Sequence, residues 1–176
     1  MPSQGPVWIR RATAEDAAGI AHVYLAAWQE AHADVASEAY VAALRERRHE
    51  QYWRKELELQ SSERAPWVAV IDDTVVGFAC GGLSRDDDAH PGDGEVYQVH
   101  VDPGCWRLGI GSSLLRHVMR DLGAHGFERA HLWVVSGCRP ATIFMQRQDW
   151  TRDGASRVDD RGGAQVEEVR YSHAIR

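Results

Sequence analysis

The sequence predicts an α+β domain with a mixed, mostly antiparallel central sheet flanked by helices. Strand-like apolar runs alternate with amphipathic helical segments in the order β-α-α-β-β-β-α-β-α-β. A hairpin in the first half implies antiparallel strands, and a strand–helix–strand unit in the second half implies a parallel pair. A length of 176 residues suits one domain, so we expect residues 1–176 to fold as a single domain.

The first third of the chain predicts one short strand and two helices. Residues 7–10 are typical of a strand, and Thr13 and Asp16 have the spacing of a capping box. Apolar residues behind the box recur every three or four positions, as in an amphipathic helix. Ser37 is a candidate cap for a second helix. The apolar face of that helix is expected to hold Val41, Leu44, Tyr52 and Trp53.

The remainder of the chain predicts five strands and two helices. Asp72 and Asp73 connect two apolar runs, which is typical of a tight hairpin. Pro140 suits the first turn of a helix, because the N–H that it lacks has no partner there. The strands are expected at 67–71, 74–79, 95–101, 130–135 and 165–171, and the helices at 112–122 and 140–148.

Charge and composition indicate which classes of binding partner are not expected for this chain. Lys and Arg number 20 against 26 Asp and Glu, so the formal net charge is −6, and no nucleic-acid partner is expected. Cys80, Cys105 and Cys138 form no CxxC pair, and the nine histidines show no metal-ligand spacing, so no metal is expected. Without a signal-like start or a run of roughly 20 apolar residues, we expect a cytoplasmic protein with no membrane partner.

The stretch from Val99 to Leu115 carries the clearest chemical signal. A strand ends, a loop contains Gly109-Ile110-Gly111, and an amphipathic helix follows at once. Backbone N–H groups and the helix dipole converge there, which suits a phosphate or pyrophosphate. The loop is not a Walker motif, and it lacks the third glycine of the dinucleotide fingerprint, which would fall at Leu114. A general nucleotide-phosphate site and a plain flexible helix start both stay open.

The stretch Val101-Asp-Pro-Gly-Cys-Trp-Arg-Leu-Gly-Ile-Gly-Ser-Ser-Leu-Leu resembles the acetyl-CoA signature of the GNAT superfamily of N-acetyltransferases. That signature is a strand ending in V-x-P, followed by Q/R-x-x-G-x-G/A at a helix start, and Trp106 stands where Gln or Arg is usual. Residues 9–16 resemble the opening strand and first helix of the superfamily, and residues 74–78 resemble its third strand. Ala141, Phe144 and Trp150 have the spacing of its closing motif.

The resemblance implies acetyl-CoA as cosubstrate and a primary amine, on a small molecule or a peptide, that attacks the thioester directly in a ternary complex. The strand ending at Val101 would splay from the strand at 130–135 and bind the pantetheine arm through its backbone, while loop amides would hold the pyrophosphate. The implied cofactor-binding residues are Val99, His100, Val101, Arg107, Leu108, Gly109, Ile110, Gly111, Ser112, Cys138 and Phe144. Because dimers are common in the superfamily, a homodimer is also compatible with the resemblance.

Two strand residues are the candidate catalytic groups. Glu95 lies six residues before Val101, where it resembles the carboxylate base of the histone-acetylating members, and by alternation it shares a strand face with Tyr97. Alternatively, Glu95 is an ordinary strand-start residue that faces water. On the first helix, Tyr24 and Trp28 would line the acceptor pocket, although core packing explains them equally well.

Two features leave the mechanism open. The loop at Asp86-Asp87-Asp88 is a solvated acidic loop or a surface that attracts a cationic amine. Met145 occupies the position of the tyrosine that protonates the leaving thiolate in the superfamily, and a thioether cannot donate a proton. Tyr97 or a water would replace that tyrosine, or the thiolate would leave unassisted. The alternative function is a non-catalytic acyl-CoA-binding or regulatory protein.

Overall fold

The computed structural model describes residues 5–31, 46–59, 65–160 and 165–175. Its seven strands are β1 (Trp8–Arg11), β2 (Trp67–Ile71), β3 (Thr74–Leu83), β4 (Asp93–Val101), β5 (Arg129–Val135), β6 (Thr151–Asp160) and β7 (Gln165–Ala174). The α-helices among these residues are α1 (Ala17–Ala31), α2 (Glu46–Leu59), α3 (Ile110–Ala124) and α4 (Arg139–Arg147), with 3-10 turns at Ala14–Asp16 and Pro103–Cys105.

The strands form one mixed sheet in the order β1-β2-β3-β4-β5-β7-β6. β4 and β5 pair in parallel, whereas β1–β2, β2–β3, β5–β7 and β6–β7 pair antiparallel. The predicted α+β class with a mostly antiparallel sheet is therefore confirmed. No helix in the described part of the chain is both long enough and apolar enough to span a membrane.

The described residues group into two compact units. The first unit holds 5–28, 46–80 and 98–118, and the second holds 29–31, 81–97, 119–160 and 165–175. In the first unit, Trp53 of α2 meets Phe78 of β3 edge-to-face at 5.4 Å between ring centroids. Gly19 lets α1 approach β3 closely, since a Cβ there would lie 2.8 Å from the Cβ of Val75.

The start of α1 shows why the predicted capping box matters. The Asp16 carboxylate accepts a hydrogen bond from the Thr13 N–H at 2.7 Å and a two-pronged pair from Arg10 at 2.7 and 2.9 Å. Burial alone would raise the pKa of Asp16, but the hydrogen bonds from Arg10 and Thr13 outweigh it, so this pKa lies below its ordinary value. The box therefore stabilises the 3-10 turn that leads into α1.

Helix α2 buries only part of its predicted apolar face. Trp53 is buried as predicted, but Tyr52 is 54% exposed, so its assignment to the apolar face was wrong. Adjacent helix positions point about 100° apart, and the face that buries Trp53 leaves Tyr52 in solvent. Ser37, Val41 and Leu44 lie outside the described residues.

The structure confirms the predicted hairpin and adds one strand. Asp72 and Asp73 have φ angles of 47° and 61°, the two positive values of a type I′ turn, and Ile71 pairs with Thr74 across it. β6 was not predicted. Its sequence, TRDGASRVDD, is polar and most of it is exposed, so pairing with β7 defines it rather than an apolar face.

Candidate active site

The predicted phosphate loop lies in the first unit, between the end of β4 and the start of α3. The Asp102 carboxylate accepts a hydrogen bond from the Gly104 N–H at 2.8 Å and orders the turn at Pro103–Cys105. Arg107 and Gly109 then adopt positive φ angles of 66° and 77° before α3 begins at Ile110. These two left-handed residues turn the chain sharply just before α3, and the loop therefore leads directly into the N-terminus of the helix.

The amides at the start of α3 suit an anion. Ser113 donates the first α-helical hydrogen bond to Gly109 at 3.0 Å, so the preceding amides of Ile110, Gly111 and Ser112 lie in the helix turn that has no intrahelical acceptors. A Cβ at Gly109 would meet no protein atom within 4 Å. The local geometry therefore fits a phosphate group approached by main-chain N–H groups and the positive end of the helix dipole.

Trp106 is the residue that departs from the superfamily signature. Its indole Nε1–H donates to the Val101 carbonyl oxygen at 2.7 Å, within the first unit. The tryptophan thus binds the last residue of β4 to the phosphate loop. One lone pair of the Val101 carbonyl is already used, and this restricts how the end of β4 can bind a ligand.

The other predicted residues of the first unit pack around the end of β4. The His100 ring lies 5.2 Å from Tyr24 and 5.5 Å from Phe78, measured between centroids, so its side chain belongs to an aromatic cluster. Tyr24 remains partly exposed, whereas Trp28 is 2% exposed. Val99 and Val101 are half-buried.

In the second unit, the parallel pairing of β4 with β5 stops early. The registered pairs are Asp93 with Arg129, Gly94 with Ala130, and Glu95 with His131. Both strands continue beyond the last pair, β4 to Val101 and β5 to Val135. The ladder between them therefore ends at Glu95, the residue predicted as the base.

Glu95 is buried and fully engaged. Its side chain is 3% exposed, and Arg85 holds it with Nη2 on Oε1 at 3.0 Å and Nε on Oε2 at 3.3 Å. The backbone N–H of Arg85 also donates to Oε2 at 3.0 Å. Glu95 is therefore not a strand-start residue that faces water. The Glu95 carboxylate is oriented by Arg85, whose own side chain is 64% exposed.

Tyr97 lies beside the same arginine. The Arg85 guanidinium carbon stands 3.9 Å from the centroid of the Tyr97 ring, and the tyrosine hydroxyl donates to the Leu83 carbonyl at 2.7 Å. The contacts of Glu95 and Tyr97 with one guanidinium fit the predicted strand alternation. The tyrosine hydroxyl is consequently held in a defined position.

The acidic loop (residues 84–92) is neither simply solvated nor a free negative surface. Asp86 is 6% exposed, and it accepts hydrogen bonds from Trp133 Nε1 and Arg170 Nη1, both at 2.9 Å. Asp88 binds Arg170 through both oxygens at 2.6 and 2.8 Å. The expectation of a solvated loop was wrong at Asp86, which is buried against Arg170 of β7. Asp88 also pairs with Arg170, but 64% of its side chain stays exposed.

His131 of β5 lies beside the polar cluster of the second unit, which consists of Asp86, Asp88, Trp133, Asp153 and Arg170. It is buried opposite Glu95, and its Nδ1 lies 3.7 Å from Asp86 Oδ2, beyond hydrogen-bond range. Among the described residues, this nitrogen has no hydrogen-bond partner. Sequence reasoning passed over His131, although a histidine inside a continuous apolar run of a strand is a signal for a buried imidazole.

Helix α4 and the residues that flank it carry the closing motif. Met145 is 1% exposed, which makes it a core residue. Cys138 precedes the helix, is equally buried, and donates from Sγ to the Ala31 carbonyl at 3.4 Å. Burial raises the pKa of the Cys138 thiol, as expected of an unreactive cysteine. Phe144 is partly exposed.

Within the ranges that the structure covers, no group of three or more His, Cys, Asp or Glu side chains is arranged to hold a metal ion. None of the three cysteines, Cys80, Cys105 and Cys138, forms a disulfide bond.

The residues that sequence reasoning missed are Arg85, which contacts Glu95, and the residues that contact Asp86 and Arg170. Arg85 is ten positions from Glu95, and Arg170 is 84 positions from Asp86. Trp133 and Asp153 likewise contact the cluster from other strands. The contacts made by Arg170, Trp133 and Asp153 depend on strand pairing across the sheet, so no local motif reports them.

Comparison with known proteins decides the family. Residues 20–150 match the family model described as the Acetyltransferase (GNAT) family. The chain belongs to the GNAT acetyltransferase family. The matched span includes the phosphate loop, Glu95 and all of α4, so the resemblance predicted from the sequence is confirmed.

Relatives of this GNAT chain include curated and structurally solved proteins. It is 30% identical over 128 residues to phosphinothricin N-acetyltransferase of Streptomyces viridochromogenes, covering 72% of this chain but only 64% of that relative. A PaiA N-acetyltransferase from Thermoplasma acidophilum, solved in complex with coenzyme A, superposes with TM-score 0.70 at 19% identity over 96% of this chain and 99% of the other. An N-acetyltransferase from Staphylococcus aureus Mu50 gives TM-score 0.70 and 19% identity over 98% and 100%. The two solved structures share the fold of this chain.

Proposed function

We propose that residues 1–176 form one acetyl-CoA-dependent N-acetyltransferase domain that acetylates the primary amine of a small molecule. The observation that carries the proposal is the phosphate loop, whose two left-handed residues present the N-terminus of α3 within the span that matches the family. The coenzyme A complex of the Thermoplasma relative and the name of the Streptomyces relative both support it.

The cosubstrate would contact the chain mainly through backbone groups. Amides from Arg107 to Ser112 would bind the pyrophosphate, and the main chain at Val99, His100 and Val101 would bind the pantetheine arm. Since the net charge is −6, these amides and a few arginines, rather than a basic surface, would hold the phosphates. Phe144 is the more accessible of the two α4 candidates, because Cys138 is buried.

Acetyl-CoA would supply the thioester whose acyl carbon the amine attacks. An ammonium cannot attack, so Glu95 would take the proton that the amine must lose. Arg85 donates hydrogen bonds to both carboxylate oxygens of Glu95, and we propose that the Arg85 side chain withdraws as the amine approaches Glu95. With 64% of its side chain exposed, Arg85 has room to swing outward.

The Arg85–Glu95 pair also favours one class of acceptor. An ammonium near Glu95 would be repelled by the Arg85 guanidinium, unless the acceptor brings its own anion for that arginine. A molecule that carries an amine next to an acid group would replace the Arg85–Glu95 ion pair with two others. Its ammonium would pair with Glu95, and its acid group would pair with Arg85. We therefore propose an acceptor that carries an acid group beside its amine. Tyr24 is a further candidate contact for this acceptor, whereas Trp28 contributes by packing.

The proton for the leaving thiolate would come from Tyr97 or water. Met145 is a buried thioether, which leaves Tyr97 as the nearest ionisable hydroxyl to Glu95 along β4. A thiol with a pKa of about 8.5 is also a tolerable leaving group without assistance. The buried Met145 and the occupied Glu95 are the observations that favour the second candidate function, a non-catalytic acyl-CoA-binding or regulatory protein.

Two measurements on the purified chain separate these functions. Calorimetry with acetyl-CoA reports binding, and thiol release with a panel of amines reports transfer. Replacing Glu95 with Gln should lower kcat by about a hundredfold or more and leave the Kd for acetyl-CoA within twofold. Glu50→Gln, at an exposed ion pair on α2, is the matched control and should change neither. Binding without turnover on any amine would instead support the regulatory function.

A further inference from the structure

Arg170 of β7 makes the densest set of ion pairs described in the second unit. Its side chain is 9% exposed and contacts three carboxylates: Asp86, Asp88 and Asp153. The distances are 2.9 Å from Nη1 to Asp86, 2.6 Å from Nη1 to Asp88 and 2.7 Å from Nε to Asp153. All three nitrogens of this guanidinium therefore donate to an acid, and two of the three acids belong to the acidic loop.

The third acid ties the arginine to the β6–β7 hairpin. Asp153 lies in the irregular part of β6, where the register with β7 shifts between Arg152 and Ser156, and Gly154 has a φ of 95°. Bulges commonly re-aim a side chain, and here the irregularity brings Asp153 to Arg170. Arg170 consequently fastens the acidic loop to the paired strands of the second unit.

The fastened loop reaches Glu95 through its main chain. Asp86 is anchored by Arg170 and by the Trp133 indole, and the residue before it is Arg85. The Arg85 N–H donates directly to Glu95 Oε2 at 3.0 Å, so one hydrogen bond to the carboxylate comes from the loop backbone. A shift of the loop would move this N–H and the start of the Arg85 side chain together.

We propose that Arg170 is a positioning residue for Glu95, acting through Asp86 and the loop backbone at Arg85. The inference rests on the proposed function, because it assumes that Glu95 takes the proton from the amine. The fixed loop and the exposed Arg85 side chain have separate roles: the backbone orients the carboxylate, while the guanidinium leaves when the acceptor arrives. Arg170 itself touches neither substrate.

The test compares Arg170→Gln with the wild-type chain in kcat, acceptor KM and acetyl-CoA affinity. We expect kcat to fall about tenfold or more, because a misplaced base loses much of its usual contribution, while the Kd for acetyl-CoA stays within twofold. Arg170→Lys keeps one charge for Asp86 and should recover part of kcat. Arg54→Gln, which breaks an exposed pair on α2, is the matched control and should change none of these.

A purely structural role gives a different pattern. Arg170→Gln would then lower thermal stability and acetyl-CoA affinity together, and the lysine variant would not recover kcat, and this would overturn the proposal. If Arg170→Gln does not fold, Asp86→Asn replaces it in the same test, with the same expected fall in kcat. This variant keeps the side-chain volume and an acceptor oxygen of Asp86 but removes the charge that pairs with Arg170. An unchanged kcat in a folded variant, with Glu95→Gln still inactive, would refute the role of Arg170 and leave the proposed function standing. An active Glu95→Gln would refute the base itself.

Discussion

Gly109→Glu tests whether the phosphate loop binds an anion. The cost to folding should be small, because a Cβ at Gly109 meets no protein atom within 4 Å and only the φ of 77° opposes a side chain. A left-handed L-residue costs about 1–2 kcal/mol, and an acid at a helix N-terminus returns about 0.3–1 kcal/mol. We expect the variant to fold with about 1 kcal/mol less stability.

The effect on acetyl-CoA binding should be much larger. A carboxylate about 5 Å from a phosphate, at an effective dielectric constant of about 20, costs about 3 kcal/mol, or more than a hundredfold in Kd. Calorimetry with acetyl-CoA measures this loss, and urea unfolding measures stability. Gly109→Gln has the same bulk without the charge, so it should lose clearly less affinity. A glutamate variant that binds acetyl-CoA within threefold of wild type would refute the placement of the phosphates.

Two further predictions concern Arg85 and Asp16. Arg85→Gln should abolish the preference for an acceptor with an acid group over the same amine without it, as measured by kcat/KM on such a pair, and a preserved preference would contradict the acceptor class. Asp16→Asn should destabilise the fold by about 1–2 kcal/mol at pH 7 in urea unfolding. Because the pKa of folded Asp16 is lowered, its stabilisation is present above about pH 4 and is lost as pH falls through the folded-state pKa, so the two proteins should converge in acid. A stability difference that does not change with pH would show that the Asp16 charge is unimportant.

The parts of the fold that local signals determine could be predicted from the sequence. Asp72-Asp73 between two apolar runs predicted the hairpin, and both residues take the positive φ values that this turn requires. The glycine pair at Gly109 and Gly111 likewise predicted a helix start, and α3 begins at Ile110 between them. In each case the residues that allow the prediction are the same few neighbouring residues that form the turn or the helix start.

The missing parts depend on contacts between distant residues. β6 has only Ala155 and Val158 as apolar residues, so its strand conformation comes from pairing with β7. The role of Asp86 could not be predicted either, because its partners Trp133 and Arg170 lie 47 and 84 positions away. A carboxylate in a polar loop gives the same local pattern whether or not a distant arginine neutralises it.

These long-range contacts change the interpretation of the acidity of the chain. Attraction of a cationic amine was one of two interpretations of the acidic loop, yet Asp86 and Asp88 are already paired with Arg170. The cation presented beside Glu95 is Arg85, with 64% of its side chain exposed. This exposed cation is the reason that we propose an acceptor with both charges rather than a simple amine.

The most direct test of the central claim is an acetyl-transfer assay with acetyl-CoA and matched acceptors that do or do not carry an acid group beside the amine. Product identified by mass spectrometry as the N-acetyl derivative, formed faster from the acid-bearing acceptor and lost in Glu95→Gln, is the predicted result. Tight acetyl-CoA binding without transfer to any amine, or transfer that Glu95→Gln leaves unchanged, would contradict the account.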